Sequence, residues 1–401
     1  METEAVPAEN PLTRVDVLRL IEANGGTARG LDLSHRRLPA IDLSDLDLSG
    51  IILREANLWD AHTQEGASLK GAKLETADLR AAILLRANLE SANLQRASLE
   101  GANLQEGAIL LRAVLMDANL QRALLGGTRL EGANLVGANL RDANLGLANL
   151  GSALLQRADL QDAYLSDANL EGARLQGADL RHAILQRATF EGAHLAGARF
   201  QGSHLWATDI AEALDVEAID WGDYRLGEEL AGEYEKAIAV YDELKGLHRR
   251  LGLDERAGHF FFREMECRRK AAWERVRRAL LKAWEEKGRK GKAEVLKSLG
   301  AAFWPTLYGW LAGHGERPWN VVFWAAGVLL VFAFGYWGFG SVEGGFLDAV
   351  YSSAVSFTAL GYGRPEFVPQ GLARGAAVAE SFVGVFIMAL FLTTFVRRMA
   401  R

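Results

Sequence analysis

The chain has 401 residues, 49% of them apolar, with Lys+Arg 45 against Asp+Glu 51. That length predicts two or three domains with ample core material, which excludes general disorder, and a net charge of −6 excludes a generally basic nucleic-acid binder. The one cysteine, Cys267, excludes an intramolecular disulfide framework and a Cys-rich zinc module.

The first ten residues, METEAVPAEN, carry neither a basic n-region nor an apolar h-region. No cleaved signal peptide is expected, and the front of the chain is expected in the cytosol. Asp16 to Ala23 is amphipathic and is followed by Gly25-Gly26, which predicts a helical cap within residues 1–30.

From Leu33 a Leu recurs every five residues, with one-residue slips near Thr63 and Gly107. From Leu110 to Leu205 the series is unbroken, with only Phe190 and Phe200 replacing Leu. Two residues before each of these centres stands Ala, except at Thr128 and Ser203, so the unit reads Ala-(Asn/Asp)-Leu-x-x, as in Ala133-Asn134-Leu135. A period of five suits neither a helix nor a strand. It suits a square coil in which Leu fills the axis, Ala occupies the tight position, and stacked coils lie about 4.8 Å apart. The pattern over residues 31–210 resembles the pentapeptide-repeat family, which implies a right-handed quadrilateral β-helix. At that family's four repeats per coil the rod holds about eight coils and is roughly 40 Å long. The repeat fades after Ile210, where Trp206 and Trp221 are placed to cover the last coil.

Residues 211–300 read as an α-helical hairpin linker. A first helix is expected over about Glu228 to Arg250, a break at Gly252-Leu253-Asp254, and a second helix towards Glu286. From Arg263 to Lys297 there are 13 basic and 6 acidic residues, a local net of +7. Anionic lipid headgroups are one partner for that stretch, and a solvated helix face is the alternative. Residues 301–317, including Phe303 to His314, read as an interfacial elbow steering the chain into a membrane.

Trp319 to Phe339 carries no charge over 21 residues, and Gly375 to Val396 carries one, Glu380. Each is long enough to cross a hydrocarbon core of about 30 Å as a helix. Five of the ten Trp lie between Trp304 and Trp337, consistent with an aromatic interfacial belt. Between the spans a short amphipathic stretch, Asp348 to Phe357, precedes Thr358-Ala359-Leu360-Gly361-Tyr362-Gly363.

In that setting residues 318–401 resemble the two-transmembrane pore domain of potassium channels. The resemblance implies an all-α pore-loop domain with an outer helix 318–340, a pore helix 347–358, a filter 358–363 and an inner helix 371–397. It also implies a homotetramer, with K⁺ held by the backbone carbonyls of Thr358, Ala359, Leu360, Gly361 and Tyr362. Physically, a dehydrated cation needs inward-facing carbonyls, and Gly361 and Gly363 permit the left-handed backbone that turns them inward.

Two departures bear on selectivity. Ala359 stands where the family has a second Thr, so the hydroxyl of the innermost site is missing. Arg364 stands where an acidic residue is usual, at the outer mouth, with Glu366, Glu343 or Glu380 available to neutralise it. Glu380, within the second span, is expected to support the filter from behind by hydrogen bonding, with a part in conduction as the alternative. Gly384 occupies the place of the family's inner-helix hinge, or simply permits close packing. Thr393, Thr394 and Phe395 are expected near the inner mouth.

Arg397, Arg398 and Arg401 flank the second span on the side where Arg317 and the basic stretch precede the first. Both termini are therefore expected in the cytoplasm and the protein in the cell (inner) membrane. Nothing in the sequence suggests an enzyme, a cofactor or a voltage sensor. The leading reading is a tetrameric cation channel, potassium-selective, whose cytoplasmic repeat rod serves assembly or gating through an unknown ligand or protein. Few residues follow the second span, so a cytoplasmic signal would pass from the rod through the hairpin and elbow into the first span. The alternatives are a non-selective cation channel and a non-conducting membrane-anchored scaffold. A topoisomerase-inhibiting DNA mimic needs a strongly acidic rod, whereas the outward positions here mix Glu90, Gln95, Arg96, Glu100, Arg141 and Asp142.

Overall fold

The computed structural model of the chain describes residues 10–63, 66–286, 289–315, 318–342, 345–359, 369 and 373–399. The chain divides into two compact units, Met1–Glu243 and Leu244–Arg401.

The first unit is a coil of β-helix type. Four parallel ladders of backbone bridges run along it, each joining residues 20 or 21 apart, such as Asn139↔Asp159 and Asp159↔Asp179. The bridges are isolated pairs and no continuous strand forms among the described residues. A five-residue side leaves room for one bridge before the chain turns. The coils spanning Thr63 and Gly107 are one residue longer, as at Asp47↔Ser68 and Asn88↔Ile109, so both slips in the Leu series are absorbed without breaking a ladder.

Each residue of the repeat has a physical task. The central Leu and the Ala two before it are buried throughout, as at Ala138, Leu140, Ala143 and Leu145, each with no accessible surface. The intervening Asn or Asp makes the corner: Asn88 Oδ1 accepts from Glu90 N (3.0 Å) and Asp159 Oδ1 from Gln161 N (3.0 Å), the local turn these side chains favour. The corners also require left-handed backbone at non-glycine residues, for example Arg96 (φ 56°) and Asp142 (φ 58°). That conformation costs about 1 kcal/mol or more per residue, and burial of each Leu, worth about 1.5–3 kcal/mol, offsets it.

The N-terminal cap is helix α1, Arg14–Ala23, started by a reciprocal capping box between Thr13 and Asp16. Arg14 fastens it to the first coil by donating to Asp42 O (2.9 Å) and Ser44 O (2.8 Å). At the other end the ladders continue past Ile210 to His194↔Leu214 and Arg199↔Asp220. The backbone register thus outlasts the Leu signal by about ten residues. Phe190, Phe200 and Trp221 then close the axis, with ring centroids 6.1 and 5.4 Å apart, and Trp221 is buried. Trp206 instead stays at the surface side, under Lys236 Nζ at 5.0 Å from its ring centre.

The expected helix over 228–250 is two: α2, Gly227–Leu230, and α3, Tyr234–Arg250. The interruption falls at Gly232, which takes left-handed backbone at φ 77°, and Glu228 lies inside α2 before it. Glu228 is buried against the last coil, where its Oε1 accepts from Trp206 N (2.7 Å), and burial pushes its carboxyl above the ordinary range.

Among its described residues the second unit is built of helices and short turns. Helix α4 spans Asp254–Glu286 and α5 spans Arg289–Ala312, packed together through Ala272, Val276 and Ala302. The expected elbow over 301–317 is therefore not a separate element. Helix α5 runs through Pro305 to Ala312 and is followed by a 3-10 turn, Gly313–Gly315, while residues 316–317 of the expected elbow lie outside the described residues. Then come α6, Pro318–Gly338, α7, Phe346–Thr358, and α8, Ala373–Met399. Only 17% and 22% of the apolar windows of α6 and α8 are buried. Core helices of a soluble protein would be mostly covered, so these faces are built for lipid or for other copies.

Candidate pore site

Helix α7 is held between α6 and α8. Its N-terminus is set by Asp348, whose carboxylate accepts from Gly345 N (2.7 Å). Its apolar side enters two clusters, one around Phe357, Val321 and Ile387 and one around Ala349, Tyr336 and Ala377. Phe346 sits between the rings of Phe334 (4.8 Å) and Trp337 (5.9 Å).

The helix ends on Thr358, and Ala359 follows in the left-handed region at φ 52°, ψ 25°. Ala359 N bonds to Ser356 O (3.1 Å), and Thr358 Oγ1 turns back to Ala354 O (2.7 Å). The carbonyl end of α7, which carries the negative end of the helix dipole, is thus delivered directly to Thr358 and Ala359. Leu360, Gly361, Tyr362, Gly363, Arg364 and Glu366, together with Glu343, lie outside the described residues.

Glu380 is fully buried and joins all three helices. Its Oε2 accepts from Tyr336 OH of α6 (2.7 Å) and its Oε1 meets Ser353 Oγ of α7, while Ser353 Oγ also reaches Leu329 O (2.9 Å). The next residue of α8, Ser381, donates from Oγ to Ser356 O of α7 (2.7 Å). A carboxylate at membrane depth is tolerated where such partners surround it. Tyr336, Ser353 and Ser381 were not singled out by sequence. The available signal was hydroxyl side chains recurring on otherwise apolar helices, and Tyr336 was masked by the aromatic belt around it.

Gly384 lies against the end of α7. A Cβ added there would run into the Phe357 carbonyl oxygen and come to 2.7 Å from its carbon and 2.9 Å from its Cα. All three are backbone atoms of a buried residue, so no side chain can swing aside. Further along α8, Thr394 is buried with Oγ1 bonded to Phe391 O (2.9 Å). Thr393 is exposed and bonds to Ala389 O (3.0 Å), and Phe395 stacks on Phe391 at 5.6 Å.

A second polar cluster stands at the bend before α6. His314, fully buried and itself left-handed at φ 54°, places Nε2 3.0 Å from Glu266 Oε1 of α4. Arg269 Nη2 donates to Glu266 Oε2 (2.7 Å). The His314 hydrogen bond, then the Arg269 bond and charge, hold the Glu266 carboxyl down to about 2 despite its burial. The rings of Phe262 (6.0 Å) and Tyr308 (6.1 Å) flank His314, and Gly309 leaves it room, since a Cβ there would come to 2.5 Å from Cε1. The bend is thereby locked to α4.

Between α4 and α5 lies an open cleft of about 650 Å³ lined by Arg275, Arg278, Lys282 and Lys297 and by alanines, with Glu294 the one acid among its described lining residues.

Residues 67–105, 113–151, 143–181 and 173–209 match the family of pentapeptide repeats, in eight copies, and residues 320–401 match a family described as ion channel. Neither is a family of enzymes. HetL, a pentapeptide repeat protein involved in heterocyst differentiation regulation from the cyanobacterium Nostoc sp. strain PCC 7120, is 31% identical over 52% of this chain and 98% of its own, with a TM-score of 0.39. Full-length QnrB1, a plasmid-mediated fluoroquinolone resistance protein, is 18% identical over 51% of this chain and 87% of its own, TM-score 0.21. Rfr23, a pentapeptide repeat protein from the cyanobacterium Cyanothece 51142, is 20% identical over 52% and 99%, TM-score 0.11. No curated protein matches the chain.

Proposed function

Because the chain belongs to the pentapeptide-repeat family through its coiled unit, and residues 320–401 match a family described as ion channel, we propose that it is a tetrameric, potassium-selective cation channel carrying a right-handed quadrilateral β-helix on its cytoplasmic side. K⁺ passes the backbone carbonyls of Thr358, Ala359, Leu360, Gly361 and Tyr362, four copies supplying the ring that one chain cannot make. The observation that carries this reading is the placement of α7. A short helix is wedged between two membrane-length helices, tied to both through Glu380, and aims its carbonyl end at Thr358 and Ala359. Such irregular backbone at membrane depth is tolerated only where it is enclosed by protein or lines a pore.

Glu380 braces the filter from behind, and Gly384 serves close packing of α8 on α7. Arg364, at the outer mouth, is neutralised by nearby acid, Glu366 the nearest in sequence. Thr393, Thr394 and Phe395 stand towards the inner mouth. Both termini are cytoplasmic in the inner membrane, and a signal from the rod reaches α6 through α5 and the His314 bend. The basic cleft between α4 and α5 takes an anionic lipid headgroup, since four cations face one acid there.

The test is flux from liposomes holding purified full-length protein, with potassium and sodium gradients compared and barium as blocker. Barium-sensitive flux with strong potassium preference supports the reading. Equal fluxes point to a non-selective pore, for which the missing hydroxyl at Ala359 is the specific reason. Absence of flux in Arg364→Asp and Ala359→Thr as well as in the parent chain favours a non-conducting scaffold.

A further inference from the structure

The four sides of the rod are chemically unequal. One ladder passes through Ile83, Asn103, Leu124, Asn144, Tyr164 and Ile184. On that side Ile83 and Leu124 are each 37% exposed, Tyr164 43% and Leu147 71%. The turn positions between them are Gly126-Gly127 and Gly146-Leu147, and the Tyr164 ring lies against Gly146, where a Cβ would come to 2.7 Å from Cε1. Charge appears only at the two ends of the patch, and there it is cancelled within the side: Arg86 pairs with Glu106 (2.9 Å) and Arg187 with Asp167 (2.5 Å). The next side round carries Arg80, Glu100, Arg122, Arg141, Asp162 and Arg181 over the same coils.

We propose that this uncharged side docks on the same side of a second copy of the chain. Two facts select that occupant. The patch has no net charge and its end charges are already paired, so two identical faces meet without repulsion. Its size also matters. Five coil spacings of about 4.8 Å by a side of about 10 Å give roughly 250 Å² of flat face, well short of the ~800 Å² per partner of a stable free complex. A freely diffusing protein is therefore a poor match. A copy already tethered to the same pore, at an effective concentration in the millimolar range, is a good one. The inference thus rests on the multi-copy reading above. It adds that the rods pair two by two, so the contact is two-fold even under a four-fold pore.

The chain is suited to a disulfide test, because its one cysteine, Cys267, is fully buried. In full-length protein in liposomes, Leu147→Cys places a thiol near the middle of the patch. Arg157→Cys places one at the equivalent corner two sides round, with the same left-handed backbone (φ 60° and 57°). Under mild oxidation Leu147→Cys is expected to form linked pairs at least tenfold faster than Arg157→Cys, and adding Tyr164→Asp to Leu147→Cys is expected to slow linking about tenfold. Equal rates at the two positions, or no Leu147→Cys pairs in a protein whose mass shows four copies, overturn the paired-rod inference while leaving the channel reading intact. A mass of one copy overturns both.

Discussion

Gly384→Ala is the substitution that separates two roles for the glycine of α8. A hinge tolerates Ala with altered gating, whereas a packing glycine does not. The added Cβ would come to 2.7 Å from the Phe357 carbonyl carbon, where ordinary contact is 3.4–4 Å, and the obstructing atoms are backbone. Helix α8 must therefore withdraw from α7 by about 1 Å, a gap that forfeits roughly a quarter to a half of the dispersion energy across the seam. The Ser381 Oγ–Ser356 O bond, now 2.7 Å, then stretches beyond hydrogen-bonding range. Overpacking of about 1–3 kcal/mol and a lost hydrogen bond of about 1 kcal/mol together predict about 2–4 kcal/mol. The assay is thermal unfolding of the detergent-solubilised assembly beside flux from liposomes. Ser381→Ala, which removes the hydrogen bond alone, is expected to lose about 1 kcal/mol. A Gly384→Ala protein that unfolds like the parent and differs only in the fraction of time open refutes the packing argument.

Glu380→Gln keeps an acceptor for Tyr336 and a partner for Ser353, whereas Glu380→Ala leaves both hydroxyls buried without it. The Ala variant, in which Ser353 Oγ keeps Leu329 O, is expected to lose about 1–3 kcal/mol and the Gln variant much less, as read by thermal unfolding and flux. Glu266 has a folded value of about 2 against 4.5 unfolded. Its stabilising contribution, at most about 3 kcal/mol, is fully present above pH 4.5 and is lost as pH falls towards 2. Glu266→Gln should flatten the fall in thermal stability between pH 5 and 3, and an unchanged slope counts against the His314–Glu266–Arg269 lock. Replacing both Arg278 and Lys297 by Gln should reduce co-purification of anionic lipid without changing the amount of neutral lipid. In the rod, Ala138→Leu puts three extra carbons at a position with no accessible surface. It is expected to cost 3 kcal/mol or more, roughly the upper end for overpacking, whereas Asn139→Ala, at a half-buried corner, should cost about 1 kcal/mol.

The rod was almost wholly legible in the amino-acid sequence, because its contacts are nearest-neighbour and repeat every coil. Leu at the axis and Ala at the tight position each have one local reason, and even the two slips could be located at Thr63 and Gly107, whereas the Asn or Asp turn bonds emerged only in the coil. What failed was the end. The ladders run on to Asp220 because backbone register needs no particular side chain, so the Leu pattern fades first. The lengths of α6, α7 and α8 followed from apolar runs and breaks in the same way. The partners of Glu380 did not. Tyr336, Ser353 and Glu380 are 17 to 44 residues apart and meet only once three helices pack. The Phe357 carbonyl that lies against Gly384 was likewise not legible. The bend at His314, read as a broad elbow, is one turn held by a residue 48 positions earlier. Local periodicity reports which face of an element is buried. It carries no information about which distant polar group waits on that face, and there the tertiary structure alone decides.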